Sequence, residues 1–211
     1  MIKQIIPAIL TSDVAELRFK LESVSGLVEW VQVDIMDNDF VPNTSVAVSD
    51  LKDIAHQSKV SVHLMVKQPQ RYIDDCQAAG VTSVIFHYET TDDHQQVLDQ
   101  ITKAGMEAGI ALSPETNVVV VQPFLKQLKS VVLLGVTPGF SGQRFIPETL
   151  DHIKELRKLA PDLFITVDGG ITLENIAGIS NAGANGFVVS NAIFKNNDVK
   201  KVIEELKKKV N

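Results

Sequence analysis

Eight short apolar runs rich in β-forming residues recur along the chain, near residues 4–9, 31–35, 60–65, 83–87, 108–112, 131–136, 164–168 and 186–190. Stretches between them carry helical spacing instead: Leu17, Leu21 and Val24; Val97, Leu98 and Ile101; Ile153, Leu156 and Leu159; Val199, Val202, Ile203 and Leu206. The runs are continuous rather than strictly alternating, as expected of parallel strands covered on both faces. Ala79-Gly80, Ala104-Gly105 and Ala182-Gly183 stand where a helix hands over to a strand. A glycine there supplies the left-handed cap that reverses the chain. No linker or change of composition divides the 211 residues, so the pattern predicts one α/β domain over 1–211, a (β/α)8 TIM barrel. An open doubly wound sheet would place a glycine-rich turn after its first strand. Here that strand runs into Ile9-Leu10-Thr11-Ser12-Asp13, with no glycine.

Composition narrows the function classes. Hydrophobic residues make up 45% of the chain and charged ones 22%, enough to build a core. Acidic residues outnumber basic ones 26 to 20 and the pI is near 5.3, which argues against a nucleic-acid partner. The apolar runs are too short for a membrane span, and the first ten residues do not read as a secretory signal. A single cysteine, Cys76, excludes an internal disulfide and reads as a structural or surface thiol. A soluble cytoplasmic protein is expected, with no membrane or nucleic-acid partner and with room for a homo-oligomer.

In such a barrel the chemistry sits at the C-terminal ends of the strands. Those ends read Gln32-Val33-Asp34-Ile35-Met36-Asp37, Ser61-Val62-His63-Leu64-Met65, Phe86-His87-Tyr88-Glu89 and Thr166-Val167-Asp168-Gly169-Gly170. Gln32 and Asp34 lie two apart and project to one side of their strand. With His63 and Asp168 they form a candidate mononuclear metal site of mixed oxygen and nitrogen donors. Asp34 and Asp168 also lie three strands apart around the ring. They would approach a substrate from nearly opposite sides, suiting a carbon that loses a proton on one face and gains one on the other.

Three loops, two of them glycine-bearing, suggest a phosphorylated substrate. Gly169-Gly170 follows the seventh strand, Ser190-Asn191-Ala192 the eighth, and Pro138-Gly139-Phe140-Ser141-Gly142-Gln143 the sixth. Backbone N–H groups in such loops, and at a helix start, cradle an anion. His87 and Glu89 are read as pocket-adjacent or structural. Arg144, His56, His94 and His152 are read as surface positions, and the lysines of 200–201 and 207–209 as the solvated flank of the last helix.

The chain resembles the ribulose-phosphate 3-epimerase family over nearly its whole length. The resemblance rests on Pro7-Ala8-Ile9-Leu10, Val33-Asp34-Ile35-Met36-Asp37 with Phe40-Val41-Pro42-Asn43, Val62-His63-Leu64-Met65-Val66, the Pro138–Gln143 loop with Phe145-Ile146, Val167-Asp168-Gly169-Gly170-Ile171, and Ala182-Gly183-Ala184-Asn185. It implies a divalent-metal isomerase of pentose phosphate metabolism that interconverts D-ribulose 5-phosphate and D-xylulose 5-phosphate through an enediolate. By position, Asp34 and Asp168 are the implied acid/base pair. Together with His63 and the residue at position 32 they are the implied ligands of one metal ion: zinc, iron, manganese, cobalt or magnesium. Met36 and Met65 line the cavity. Ala8, His63, Gly139, Phe140, Ser141, Gly142, Gly169, Gly170, Ser190 and Asn191 complete the expected substrate contacts.

Six positions depart from the family pattern. Gln32 replaces a histidine ligand, Ala8 a serine, Leu134 a methionine, Ser141 a glycine, and Ser190-Asn191 a Gly-Ser pair. They keep two alternatives open: a 3-epimerase of a ketohexose 6-phosphate such as allulose 6-phosphate, and a catalytically silent phosphosugar-binding paralogue. A related decarboxylase or synthase would need Asp-x-Lys-x-x-Asp on the third strand, which here reads Ser61-Val62-His63-Leu64-Met65.

Overall fold

Eight parallel strands close into one barrel in sequential order in the computed structural model, which describes residues 2–52, 54 and 57–211. The strands are β1 (Gln4–Ile9), β2 (Trp30–Met36), β3 (Lys59–Met65), β4 (Ser83–His87), β5 (Glu107–Leu112), β6 (Ser130–Leu134), β7 (Phe164–Asp168) and β8 (Gly186–Val189). β8 pairs with β1, so no strand edge is left open. The helices are α1 (Val14–Val24), α2 (Ile73–Ala78), α3 (His94–Lys103), α4 (Thr149–Leu159), α5 (Ile176–Ala182), α6 (Asn191–Phe194) and α7 (Val199–Val210).

Side-chain alternation along each strand divides the interior in two. Val31, Val33 and Ile35 of β2, with Val60, Val62 and Leu64 of β3, join the main core between sheet and helices. The same core takes Leu17, Leu21 and Val24 of α1 and Val202, Ile203 and Leu206 of α7. The intervening residues face the barrel axis. Ile85, Ala111, Val132 and Leu134 fill part of that inner space with apolar volume, while Gln32, Asp34, His63 and Thr166 are buried polar residues of the same strands.

Local sequence explains the helix boundaries. Asp13, Asp93 and Asp198 precede α1, α3 and α7, and each carboxylate accepts from a backbone N–H of the first turn. Such caps typically contribute about 1 kcal/mol each. Gly80, Gly105 and Gly183 take φ of +72°, +81° and +121°, as the Ala-Gly pattern anticipates.

Among the described residues, two of the eight expected helices are not α-helical. The β2–β3 crossing carries a 3₁₀ turn at Val48–Leu51, and the β5–β6 crossing a 3₁₀ segment at Val118–Phe124. Four consecutive valines and Pro123 disfavour an α-helix in the second case. Cys76 is fully buried on α2, and burial pushes its thiol up to about 12, which makes it a core residue. Two histidines depart from the surface assignment. His94 is half-buried, stacks on Tyr88 at 4.0 Å and bonds its carbonyl, and His152 is also half-buried. His56 lies outside the described residues.

Candidate active site

Register aligns the reactive groups. Asp34 of β2 pairs directly with His63 of β3, and Gln32 sits one inward-facing position deeper, opposite Ser61. Asp168 reaches the same point from the end of β7, across the ring. His63 Nδ1 lies 3.5 Å from Asp34 Oδ1 and 3.3 Å from Asp168 Oδ2. One ligating atom from each of the three residues lies within 4.8 Å of the others, close enough to share one ion. Two carboxylate oxygens and an imidazole nitrogen form a donor set that fits a first-row divalent cation.

Gln32 is 1% exposed and donates its side-chain N–H groups to Asp34 Oδ1 at 2.8 Å and Asp168 Oδ2 at 2.7 Å. Its Nε2 also lies 3.3 Å from His63 Nδ1. The amide therefore meets the other three residues through nitrogen, which carries no lone pair for a metal. The ligand role expected of Gln32 needs its oxygen turned inward. In this arrangement Gln32 is instead a neutral clamp between two carboxylates.

Electrostatics follow from this crowding. Burial, then the charge of Asp168, raises the proton affinity of Asp34 above the ordinary aspartate range, against the hydrogen bonds from His63 and Gln32. Burial alone would disfavour a charged His63, but its contacts with Asp168 and Asp34 prevail and lift it to about 9. Without metal, the cluster holds an imidazolium beside its carboxylates.

Above the cluster opens a cavity of about 380 Å³. It is lined by every residue expected from sequence to touch substrate: Ala8, Met36, His63, Met65, Gly139, Phe140, Ser141, Gly142, Gly169, Gly170, Ser190 and Asn191. Asp34, Asp168 and Leu134 line it as well, while Gln32 lies beneath it and contributes instead to a small cavity at the opposite barrel end. Met36, Met65 and Val41 pack with Leu10 and Phe40 into an apolar cluster at the mouth.

The loops that rim the cavity are tied down. Asn43 donates to the carbonyl of Gly139, and Gln143 to those of Thr137 and Phe140. Gly170 has φ +69°, and a Cβ there would meet the Phe145 backbone at 2.6 Å. Only glycine lets the β6 and β7 loops approach so closely. Sequence reading missed Leu10, Val136, Ile171 and Thr172 as lining residues, and Asn43 and Gln143 as latches. The four lining residues follow strand ends and were accessible by that rule. The latches required knowledge of which loops meet. Arg144 is exposed, as expected.

His87 and Glu89 are not in the lining. His87 is completely buried, with its Nε2 3.0 Å from His63 Nε2 and its Nδ1 3.1 Å from Glu89 Oε2. Burial lowers His87 to about 4, against the pull of Glu89. Glu89 Oε1 accepts from the Ser113 N–H and the Thr116 hydroxyl. Burial would raise Glu89, but the hydrogen bonds from His87, Thr116 and Ser113 bring it down to about 2.

Similar proteins carry the same arrangement of sequence. The model of the ribulose-phosphate 3 epimerase family matches residues 4–194. The ribulose-phosphate 3-epimerase of Schizosaccharomyces pombe is 37% identical over 98% of this chain and 93% of its own length. That of Escherichia coli K12 is 36% identical over 96% and 94%. Among solved structures, a 3-hexulose-6-phosphate synthase superposes with a TM-score of 0.74 at 16% identity, covering 99% of this chain and all of its own. A tryptophan synthase α-subunit from Pyrococcus furiosus reaches 0.72 at 14%, covering 100% and 98%. These last two share the barrel fold. Among the described residues, no helix is long and apolar enough to cross a membrane. The match of a family model over most of the barrel, and of relatives above 35% identity over almost the entire chain, establishes that this chain belongs to the ribulose-phosphate 3-epimerase family, a group of isomerase-class enzymes.

Proposed function

We propose that this protein interconverts D-ribulose 5-phosphate and D-xylulose 5-phosphate by moving a proton at the third carbon, with Asp34 and Asp168 as acid and base. The observation that carries this reading is the convergence of two carboxylates from opposite sides of the barrel on one buried point beneath a 380 Å³ cavity. One aspartate removes the C3 proton from one face and the other delivers a proton to the opposite face. General acid/base groups of this kind typically contribute about 10²–10⁴-fold. The raised proton affinity of Asp34 suits it to hold a proton between the two steps.

Asp34, His63 and Asp168 would hold the divalent cation, which supplies positive charge to stabilise the oxyanion of the enediolate. Gln32 holds the two carboxylates together from below. Met36 and Met65 exclude water from the reacting carbon, with the thioethers against the planar intermediate. The loops at Gly142, Gly169–Gly170 and Ser190–Asn191 take the phosphate through backbone N–H groups. The test is a coupled epimerisation assay on ribulose 5-phosphate with allulose 6-phosphate as comparator, run on chelated and metal-restored protein alongside metal analysis. Turnover of the pentulose phosphate that falls on chelation and returns with a divalent cation supports the reading. A preference for the hexulose phosphate, or no turnover of either, overturns it.

A further inference from the structure

We propose that Glu89, acting through His87, keeps a proton on His63 Nε2, so that Nδ1 is the nitrogen freed to ligate a cation between Asp34 and Asp168. The inference rests on the reading that these three residues hold a divalent cation. Its starting point is a buried chain that the proton transfer does not use: His63 Nε2 to His87 Nε2 at 3.0 Å, then His87 Nδ1 to Glu89 Oε2 at 3.1 Å.

With His87 neutral, hydrogen-bond bookkeeping along this chain has one solution. Glu89 is a carboxylate and only accepts. Its other oxygen is already occupied by two donors from the β5–β6 loop, the Ser113 N–H at 2.9 Å and the Thr116 hydroxyl. His87 Nδ1 must therefore carry the proton that it gives to Oε2. A neutral His87 then has its lone pair on Nε2 and can only accept from His63. His63 must keep its proton on Nε2, which leaves Nδ1 as the nitrogen turned toward the carboxylates. Neither His87 nor Glu89 lines the substrate cavity, so both are positioning residues. Phe40, with its ring centroid 4.8 Å from that of His87, keeps the relay covered.

The substitution Glu89→Gln reverses the relay with little change of shape. Ser113 N–H and the Thr116 hydroxyl still need an acceptor, so the amide oxygen stays with them and the NH₂ group faces His87 Nδ1. His87 must then accept at Nδ1 and carry its proton on Nε2. That proton points at His63 Nε2 and drives the His63 proton onto Nδ1, where it blocks a ligand bond. Losing such an outer partner typically weakens metal binding about 10–100-fold.

The test uses long-range proton–nitrogen NMR of histidine-labelled protein, with zinc affinity from a competition titration. In wild type, His87 is expected as the neutral Nδ1–H tautomer with and without zinc, and zinc-loaded His63 as Nε2–H. In Glu89→Gln, His87 is expected as Nε2–H, with zinc affinity reduced 10–100-fold and the circular dichroism unchanged. An Nε2–H tautomer of His87 in wild type overturns the proposal, as does a Glu89→Gln variant that keeps both tautomer and affinity. If Glu89→Gln fails to fold, the wild-type spectrum decides alone. If zinc does not bind wild type, the metal reading falls, and the tautomer of metal-free His87 still decides the relay.

Discussion

Replacing Gln32 with leucine isolates the clamp between the two aspartates. The substitution keeps side-chain volume and removes both donated bonds, at 2.8 Å to Asp34 and 2.7 Å to Asp168. Hydrogen bonds to charged groups contribute about 1.5–3 kcal/mol each, so the gross loss is about 3–6 kcal/mol. Part of this is offset. Leucine at a site 1% exposed gains apolar burial, and Asp34, already raised in proton affinity, relieves the repulsion by taking a proton. The net cost in chelated protein is about 2 kcal/mol, which for a chain of this size lowers Tm by about 4–8 °C. A divalent cation supplies the counter-charge that the amide no longer helps to provide, so saturating metal should raise Tm more in Gln32→Leu than in wild type. Thermal scans with chelator and with manganese give all four values. If Gln32→Leu in chelator melts with wild type, the amide does not hold the carboxylates together and the clamp is refuted.

Four further outcomes follow from the same geometry. Asp34→Asn and Asp168→Asn should each lose about 10²–10⁴-fold in kcat while keeping the wild-type circular dichroism; near-normal turnover in either would move the proton transfer elsewhere. Gln32→His should retain zinc through dialysis better than wild type, because imidazole suits zinc better than a neutral amide does; equal zinc content would separate position 32 from the metal. His87 titrates near 4 when folded against 6.5 when unfolded. The unfolded chain therefore binds its proton first as pH falls, and stability declines between pH 6.5 and 4 by about 3 kcal/mol at most. Denaturation midpoints across that window should fall less steeply in His87→Gln, and parallel curves would contradict the assignment. Gly170→Ala drives a Cβ into the Phe145 backbone at positive φ. It should displace the β6 loop and raise KM for a phosphorylated substrate, which steady-state kinetics would read.

The barrel was legible because its strands are buried on both faces. Val31-Gln32-Val33-Asp34-Ile35 reads as a strand whether its alternate residues meet helices or the barrel axis. The Ala-Gly handovers marked helix ends through backbone conformation alone. The crossings after β2 and β5 were less legible, because apolar content at Val118–Val121 resembles a helix face while β-branching and Pro123 oppose one. At the site, strand-end position was enough to bring Asp34, His63 and Asp168 together. The orientation of the Gln32 amide depends on which atoms face it, and spacing does not encode that. The link from His63 to Glu89 needs the β3–β4 register, and the anchoring of Glu89 needs Ser113 and Thr116 from a third loop.

The central claim is that two aspartates exchange the C3 proton of ribulose 5-phosphate on opposite faces. Incubation of the metal-replete protein with that substrate in deuterium oxide, followed by NMR of the recovered sugar phosphates, tests it most directly. The account predicts deuterium at C3 of both ribulose 5-phosphate and xylulose 5-phosphate, with incorporation abolished in Asp34→Asn and Asp168→Asn. Protium retained at C3 while the substrate is bound, or deuterium incorporated at wild-type rate by either variant, would contradict it.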